Sequence, residues 1–220
     1  MKQLDVFLLA VFAFTVVPSF AQLSFDSYNI EKEVHPLRND FDFDFNFKNL
    51  SNNEVLITDI DVSCSCVSAF TDRFKLKSMD SGKITGKINV AGKAGKESQC
   101  VILFMKYGTC EEKVVLTINY TIPNMVYIRP SLLLWQINDP CEQKASRISI
   151  DTSYITEITD IICDSDDFAV YCDKDEKDIT SYILKVTPNS TSAKKKALIQ
   201  IKVKTIEGTL KTYFVNTMIK

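Results

Sequence analysis

Phe41-Asp42-Phe43-Asp44-Phe45-Asn46-Phe47 is the stretch that decides the fold class. Successive side chains of a β-strand point to opposite faces, so this strict alternation puts four phenylalanines on one buried face and the polar residues on the other. A turn is expected over Asn49 to Asn53, and a second apolar run follows and ends in Cys64-Ser65-Cys66. The pattern is that of a half-buried antiparallel strand.

Outward from this stretch the chain reads as short runs of alternating or β-branched residues separated by polar turns. In the first half strands are expected near Tyr28 to Val34, Asp40 to Lys48, Val55 to Val62, Phe74 to Lys77, Lys83 to Val90, Ser98 to Lys106 and Lys113 to Thr121. Seven strands in such a span suit an immunoglobulin-like sandwich. Pro123-Asn124 marks a boundary, because proline lacks the amide a ladder needs and asparagine favours turns. The second half repeats the plan over Val126 to Trp135, Ala145 to Asp151, Ile155 to Cys163, Phe168 to Cys172, Thr180 to Thr187, Ala197 to Lys204 and Thr209 to Ile219. Ile57-Thr58-Asp59-Ile60 also recurs as Ile158-Thr159-Asp160-Ile161 at the same place in the strand order. The expected fold is therefore all-β, two tandem immunoglobulin-like β-sandwich domains over residues 22–123 and 124–220; the alternative is one sandwich with an irregular β-rich tail. Gly82 is expected between strands, and Gly86 inside one, as a bulge or a site of close backbone approach.

Residues 1–21 have the layout of a secretory signal peptide: one lysine, an uncharged apolar run from Val6 to Val17, Pro18, and small residues at Ser19 and Ala21. The run is shorter than the roughly 20 apolar residues that span a bilayer, so cleavage after Ala21 is expected rather than an anchor. An exported protein of the periplasm, cell surface or extracellular space follows, with no membrane span once the leader is removed. The chain has 26 Lys and Arg against 28 Asp and Glu. That balance lacks the basic excess that phosphate backbones demand, so no nucleic-acid partner is expected. Lys194-Lys195-Lys196 is the one basic run and reads as a solvated turn ahead of a strand.

Phe45-Asn46-Phe47-Lys48-Asn49, the run Leu56 to Ser63 and Cys64-Ser65-Cys66 together resemble the signature of a bacterial secreted immunoglobulin-like family, domain-of-unknown-function family 1573, related to the Hydin and major-sperm-protein sandwiches. The resemblance covers about Asp40 to Pro123. It implies export and an envelope or surface setting, and no reaction. Ser65 and Val67 stand where the family pattern usually has Gly and Thr.

The seven cysteines cannot all pair within one molecule. Cys64 and Cys66, two apart in an expected strand, face the same way near the upper limit for bridging, so a direct bond would need a bent backbone. They read as buried thiols, or as soft ligands for Cu(I) or Zn. Cys163 and Cys172 bracket an acidic loop and a short strand and are the expected disulfide. Asp164, Asp166 and Asp167 in that loop are candidate Ca²⁺ ligands, although the glycine and spaced glutamate of an EF-hand are missing. No cofactor is expected.

Catalysis needs a nucleophile with its base, paired acids in a cleft or a phosphate loop, and the chain offers one histidine, His35, before Pro36. His35 reads as a loop residue, and Trp135 as core. The function expected is a non-enzymatic envelope or surface interaction or structural module with a protein or envelope glycan partner. Thiol-based metal handling by Cys64 and Cys66, or a carbohydrate-active hydrolase, are the alternatives.

Overall fold

The computed structural model describes residues 23–220, so the leader expected over residues 1–21 lies outside the described residues. The first half forms β1 (Leu23–Phe25), β2 (Asn29–Glu33), β3 (Asp40–Asn49), β4 (Val55–Val62), β5 (Val67–Thr71), β6 (Lys75–Leu76), β7 (Ser81–Asn89), β8 (Gly95–Tyr107) and β9 (Cys110–Ile122). They make a first sheet ordered β1-β3-β7-β5 and a second ordered β2-β9-β8-β4-β6. The second half forms β10 (Val126–Arg129), β11 (Leu132–Trp135), β12 (Lys144–Ile150), β13 (Ile155–Cys163), β14 (Phe168–Lys174), β15 (Ser181–Pro188), β16 (Lys195–Thr205) and β17 (Leu210–Ile219). Here the third sheet is ordered β10-β12-β15-β14 and the fourth β11-β17-β16-β13.

The two halves use one topology. Replacing β1, β3, β7 and β5 by β10, β12, β15 and β14 turns the first sheet into the third, and β2, β9, β8 and β4 correspond to β11, β17, β16 and β13 in the same way. Only the short β6 has no counterpart. The protein is all-β and built of tandem immunoglobulin-like sandwiches. Grouped by proximity, the described residues form two compact units that are discontinuous in sequence: 23–30, Asp42–Asn89 and Gln99–Ile118 make one, and Glu31–Phe41, Val90–Ser98 and Asn119–Lys220 the other.

β3 shows why these residues make a strand. Phe41, Phe43, Phe45 and Phe47 are all buried, while Asp42, Asp44 and Asn46 are exposed. On the outer face Asp44 and Asp42 meet Lys83 and Lys87 of β7 at 3.0 and 3.7 Å. On the inner face β7 presents Gly82, Ile84, Gly86 and Ile88, and the Phe47 and Phe43 rings occupy the space that side chains at the two glycines would need. Gly82 thus lies within a strand, not between strands, and Gly86 is a site of close approach. The second half packs around Trp135, Ile148, Leu184, Ile199, Ile201, Val203 and Val215.

Three further expectations change. β1 and β5 were not legible, because three and five residues carry too little alternation. The strand expected over Phe74 to Lys77 shrinks to Lys75–Leu76, which pairs with Val55 and Leu56. The run from Val126 to Trp135 breaks at Pro130, which has no amide to donate, and its two pieces join different sheets.

The repeated Ile-Thr-Asp-Ile has a structural meaning. The β4–β8 ladder slips between Ile57 and Asp59, and the β13–β16 ladder slips between Ile158 and Asp160. At each slip the intervening threonine donates its hydroxyl to the facing strand, Thr58 Oγ1 to the Phe104 carbonyl at 3.1 Å and Thr159 Oγ1 to the Lys202 carbonyl at 3.2 Å. The echo encodes the same bulge twice.

Candidate functional site

The Cys-x-Cys pair lies in the turn after β4 rather than in a strand. The Val67 amide donates to the Cys64 carbonyl at 3.1 Å, and the Asn89 amide to the Cys66 carbonyl at 2.8 Å. Ser63 ties the turn to β8: its amide donates to the Cys100 carbonyl at 3.0 Å, and its hydroxyl donates to Gln99 Oε1 at 2.7 Å. The bend brings the two Cα atoms to 5.2 Å, closer than alternate residues of a strand, and Cys64 and Cys66 form a disulfide. This corrects the expectation of buried thiols or soft-metal ligands, since a sulfur held in a disulfide has no thiolate to offer.

Cys163 and Cys172 are free thiols, so the pairing expected between them is not formed. Their strands, β13 and β14, belong to different sheets, and the Cys163 thiol donates instead to the Ser165 carbonyl at 3.3 Å. Cys172 packs against the core of the second half, and burial, with the Asp173 charge beside it, pushes its thiol up to about 11.

The acidic loop does not gather its oxygens. Asp164 Oδ1 accepts the Leu198 amide at 2.8 Å, and Asp167 pairs with Lys195 at 3.0 Å while also accepting the Ser165 hydroxyl at 3.0 Å. The Lys195 hydrogen bond, then that from Ser165, holds the Asp167 carboxyl below its usual range. Asp166 contributes its backbone carbonyl, to Asn189 Nδ2 at 2.6 Å. Two carboxylates committed to separate partners close turns instead of caging a calcium ion. Among the described residues no group of three or more His, Cys, Asp or Glu could hold a metal. His35 accepts the Leu37 amide at 3.4 Å within its own turn.

The feature that sequence reading missed is the outer face of the fourth sheet. Along β17, Val215, Thr217 and Ile219 point inward, and Leu210, Phe214 and Met218 are exposed. The register carries this apolar face across the sheet. Leu132 and Leu134 of β11 pair with Asn216 and Met218, Leu198 of β16 pairs with Asn216, and Gln200 links Phe214 to Ile162 of β13. Leu132 and Phe214 are each 47% exposed and Ile162 37%. At this end of the sheet a shallow pocket of about 310 Å³ is lined by Met218 and Ile219, which point to opposite faces, and by Lys194, Lys195, Lys196 and Lys220. The signal was present in Leu210 to Ile219, a strand with apolar residues on both faces, but nothing in the sequence says which neighbours flank it.

Paired sheets of one topology, used twice along the chain, define a class: tandem immunoglobulin-like β-sandwich proteins. Within that class, residues 21–124 match the model of the family described as protein of unknown function, DUF1573. No curated protein matches the chain. Solved structures similar to it include a protein of unknown function from Porphyromonas gingivalis, with 10% identity over 90% of this chain and 99% of that one at a TM-score of 0.38. The E. coli chaperone DraB has 12% identity over 88% and 97% at 0.37. The Vibrio cholerae VesB protease has 16% identity over 46% of this chain at 0.38, and the chain spans about 32% of that structure's length.

Proposed function

We propose that this protein is an exported, non-enzymatic β-sandwich module of the cell envelope or surface, which engages a protein or envelope glycan partner through its sheet faces. The observation that carries the reading is the exposure of large apolar side chains at strand positions that face away from the cores. In the first half these include Leu56 of β4, Phe70 of β5 and Phe104 of β8, and in the second Leu132, Phe214 and Met218. Apolar side chains held on rigid strands serve recognition, because little conformational entropy is lost when a partner covers them. Export rests on the sequence of residues 1–21.

The test is expression in an exporting host, with fractionation, N-terminal sequencing and in-cell photocrosslinking from positions 104 and 214. The expected result is a chain beginning at Gln22 in the envelope or medium and a discrete crosslinked product. An intact leader in the cytosol, turnover in a glycan and ester substrate screen, or no crosslink from either position would overturn the reading.

A further inference from the structure

The outer face of the fourth sheet combines two features that a solvated sheet face does not need. One is the apolar set Leu132, Leu134, Ile162, Leu198, Phe214 and Met218, spread over four strands around Asn216 and Gln200, which stand between them in the register. The other is an uneven distribution of charge at its two ends. At the end nearer Leu210, Lys204 and Lys202 are matched by Glu157 at 4.0 Å and Asp160 at 3.6 Å on the neighbouring β13. At the opposite end Lys195 pairs with Asp167, but among the described residues no ion pair engages Lys194 or Lys196. These two lysines line the shallow pocket at the strand end beside Met218, and Lys196 stands directly opposite Met218 in the ladder.

From these placements we infer that this face docks an extended segment of a protein partner, with apolar side chains laid over Phe214, Leu198 and Ile162 and a carboxylate at Lys194 and Lys196. This rests on the interaction-module reading and names the chemistry of the partner at one of its faces. Size argues for a segment. With strands about 4.8 Å apart and like-facing residues about 6.8 Å apart, the apolar area is roughly 14 Å on a side. That footprint is well below the ~800 Å² per partner that a stable dimer of folded chains buries, so a second copy of this chain is the poorer fit. Charge argues for acid. The chain is net acidic, with a formal charge of -2, so it has no general attraction for anionic surfaces. Two ammonium groups outside any ion pair, beside apolar carbon and with the Asp164 carboxylate already taken by the Leu198 amide, instead suit a carboxylate carried on an apolar strand.

The experiment titrates the full mature chain with a labelled short peptide that alternates glutamate and valine, alongside peptides alternating lysine with valine and glutamate with serine. Phosphatidylglycerol vesicles and sedimentation of the protein alone complete the set. Saturable binding of the glutamate–valine peptide only, weakened about tenfold or more both by Phe214→Ser and by the Lys194→Glu, Lys196→Glu double variant, supports the inference. Melting curves confirm that each variant is folded, and Leu132→Ser serves as a second apolar variant if Phe214→Ser is not. Absence of binding, equal binding of the lysine–valine peptide, or binding indifferent to either variant overturns it. Vesicle binding that depends on Phe214 overturns it in favour of a membrane surface, and Phe214-dependent self-association in favour of a second copy. The module reading falls separately, on localisation and crosslinking, so the two failures are distinguishable.

Discussion

The tip of the Phe43 ring stands 2.3 Å from the point where a β-carbon on Gly86 would lie, and the Ser68 carbonyl oxygen is equally near on the other side. The phenylalanine row of β3 therefore requires a strand beside it that lacks a side chain at this level. Gly86→Ala is expected to destabilise the first half by about 1–3 kcal/mol, the usual cost of overpacking. For Gly82→Ala the nearest atoms are side-chain ones, the Phe47 ring at 2.5 Å and Asp72 Oδ1 at 3.2 Å, so a smaller loss is expected. Urea denaturation of the two variants checks the order; equal midpoints for Gly86→Ala and the parent would refute the packing argument.

Asn49 is fully buried and acts as the hub of the turn after β3. Its two Nδ2 hydrogens are shared among the carbonyls of Asn53 at 2.8 Å, Leu76 at 3.1 Å and Lys77 at 3.1 Å, and its Oδ1 accepts from the Ser51 amide and hydroxyl. Asn49→Ala leaves several of these groups without a partner and is expected to cost about 1–3 kcal/mol, or more if water cannot enter. Chemical denaturation measures it, and a loss below a few tenths would mean that the carbonyls find other donors.

Alkylation without reductant is expected to label five cysteines, Cys100, Cys110, Cys141, Cys163 and Cys172, and after unfolding and reduction all seven. Cys172 should be the slow one. The thiolate is the reacting form, and a thiol at about 11 in place of an ordinary 9.0 holds roughly a hundredfold less of it at pH 8. Peptide mapping over time separates it from the exposed Cys110. Equal rates would remove the burial argument.

Hydrogen bonds from the Ser181 hydroxyl, then from the Thr180 hydroxyl and amide, with Arg147 adding to them, hold the Asp178 carboxyl far below the usual carboxylate range. A carboxylate depressed by folding contributes stability above its unfolded pKa, and that contribution fades as pH falls through the folded value. Asp178→Asn should therefore melt below the parent at pH 7, and the gap should narrow as pH drops below about 4. A gap independent of pH would mean that shape, not charge, matters at this position.

Trp135 is the chain's only tryptophan, is 1% exposed, and donates its indole N–H to the Glu142 carbonyl at 2.9 Å. Trp135→Ala is expected to cost about 3–5 kcal/mol, read by circular dichroism. In the parent, emission should shift to the red only with global unfolding of the second half. A red-shifted native spectrum would contradict the burial.

Much of the architecture was legible in advance where a strand is long and one face is buried. β3 and β7 carry enough alternation, and β13 and β17 enough β-branched and aromatic residues, to be read from residue type alone, and the Ile-Thr-Asp-Ile echo marked equivalent strands. The site was less legible. The Cys64–Cys66 bond depends on a turn that a spacing of two does not reveal, and Asp164 and Asp167, close in sequence, each serve a different partner.

By itself the sequence determined the class of the protein, since the period of two in Phe41 to Phe47 and its fellow strands admits few other ways to bury that much phenylalanine, isoleucine and valine. Only the tertiary structure decided which residues meet. The pairing of β11, β17, β16 and β13, strands far apart in the chain, brings Leu132, Ile162, Leu198 and Phe214 onto one face beside Lys194 and Lys196. Alternation along a strand is a local property of the backbone, whereas neighbours across a sheet are set by long-range register, which no short stretch of sequence contains.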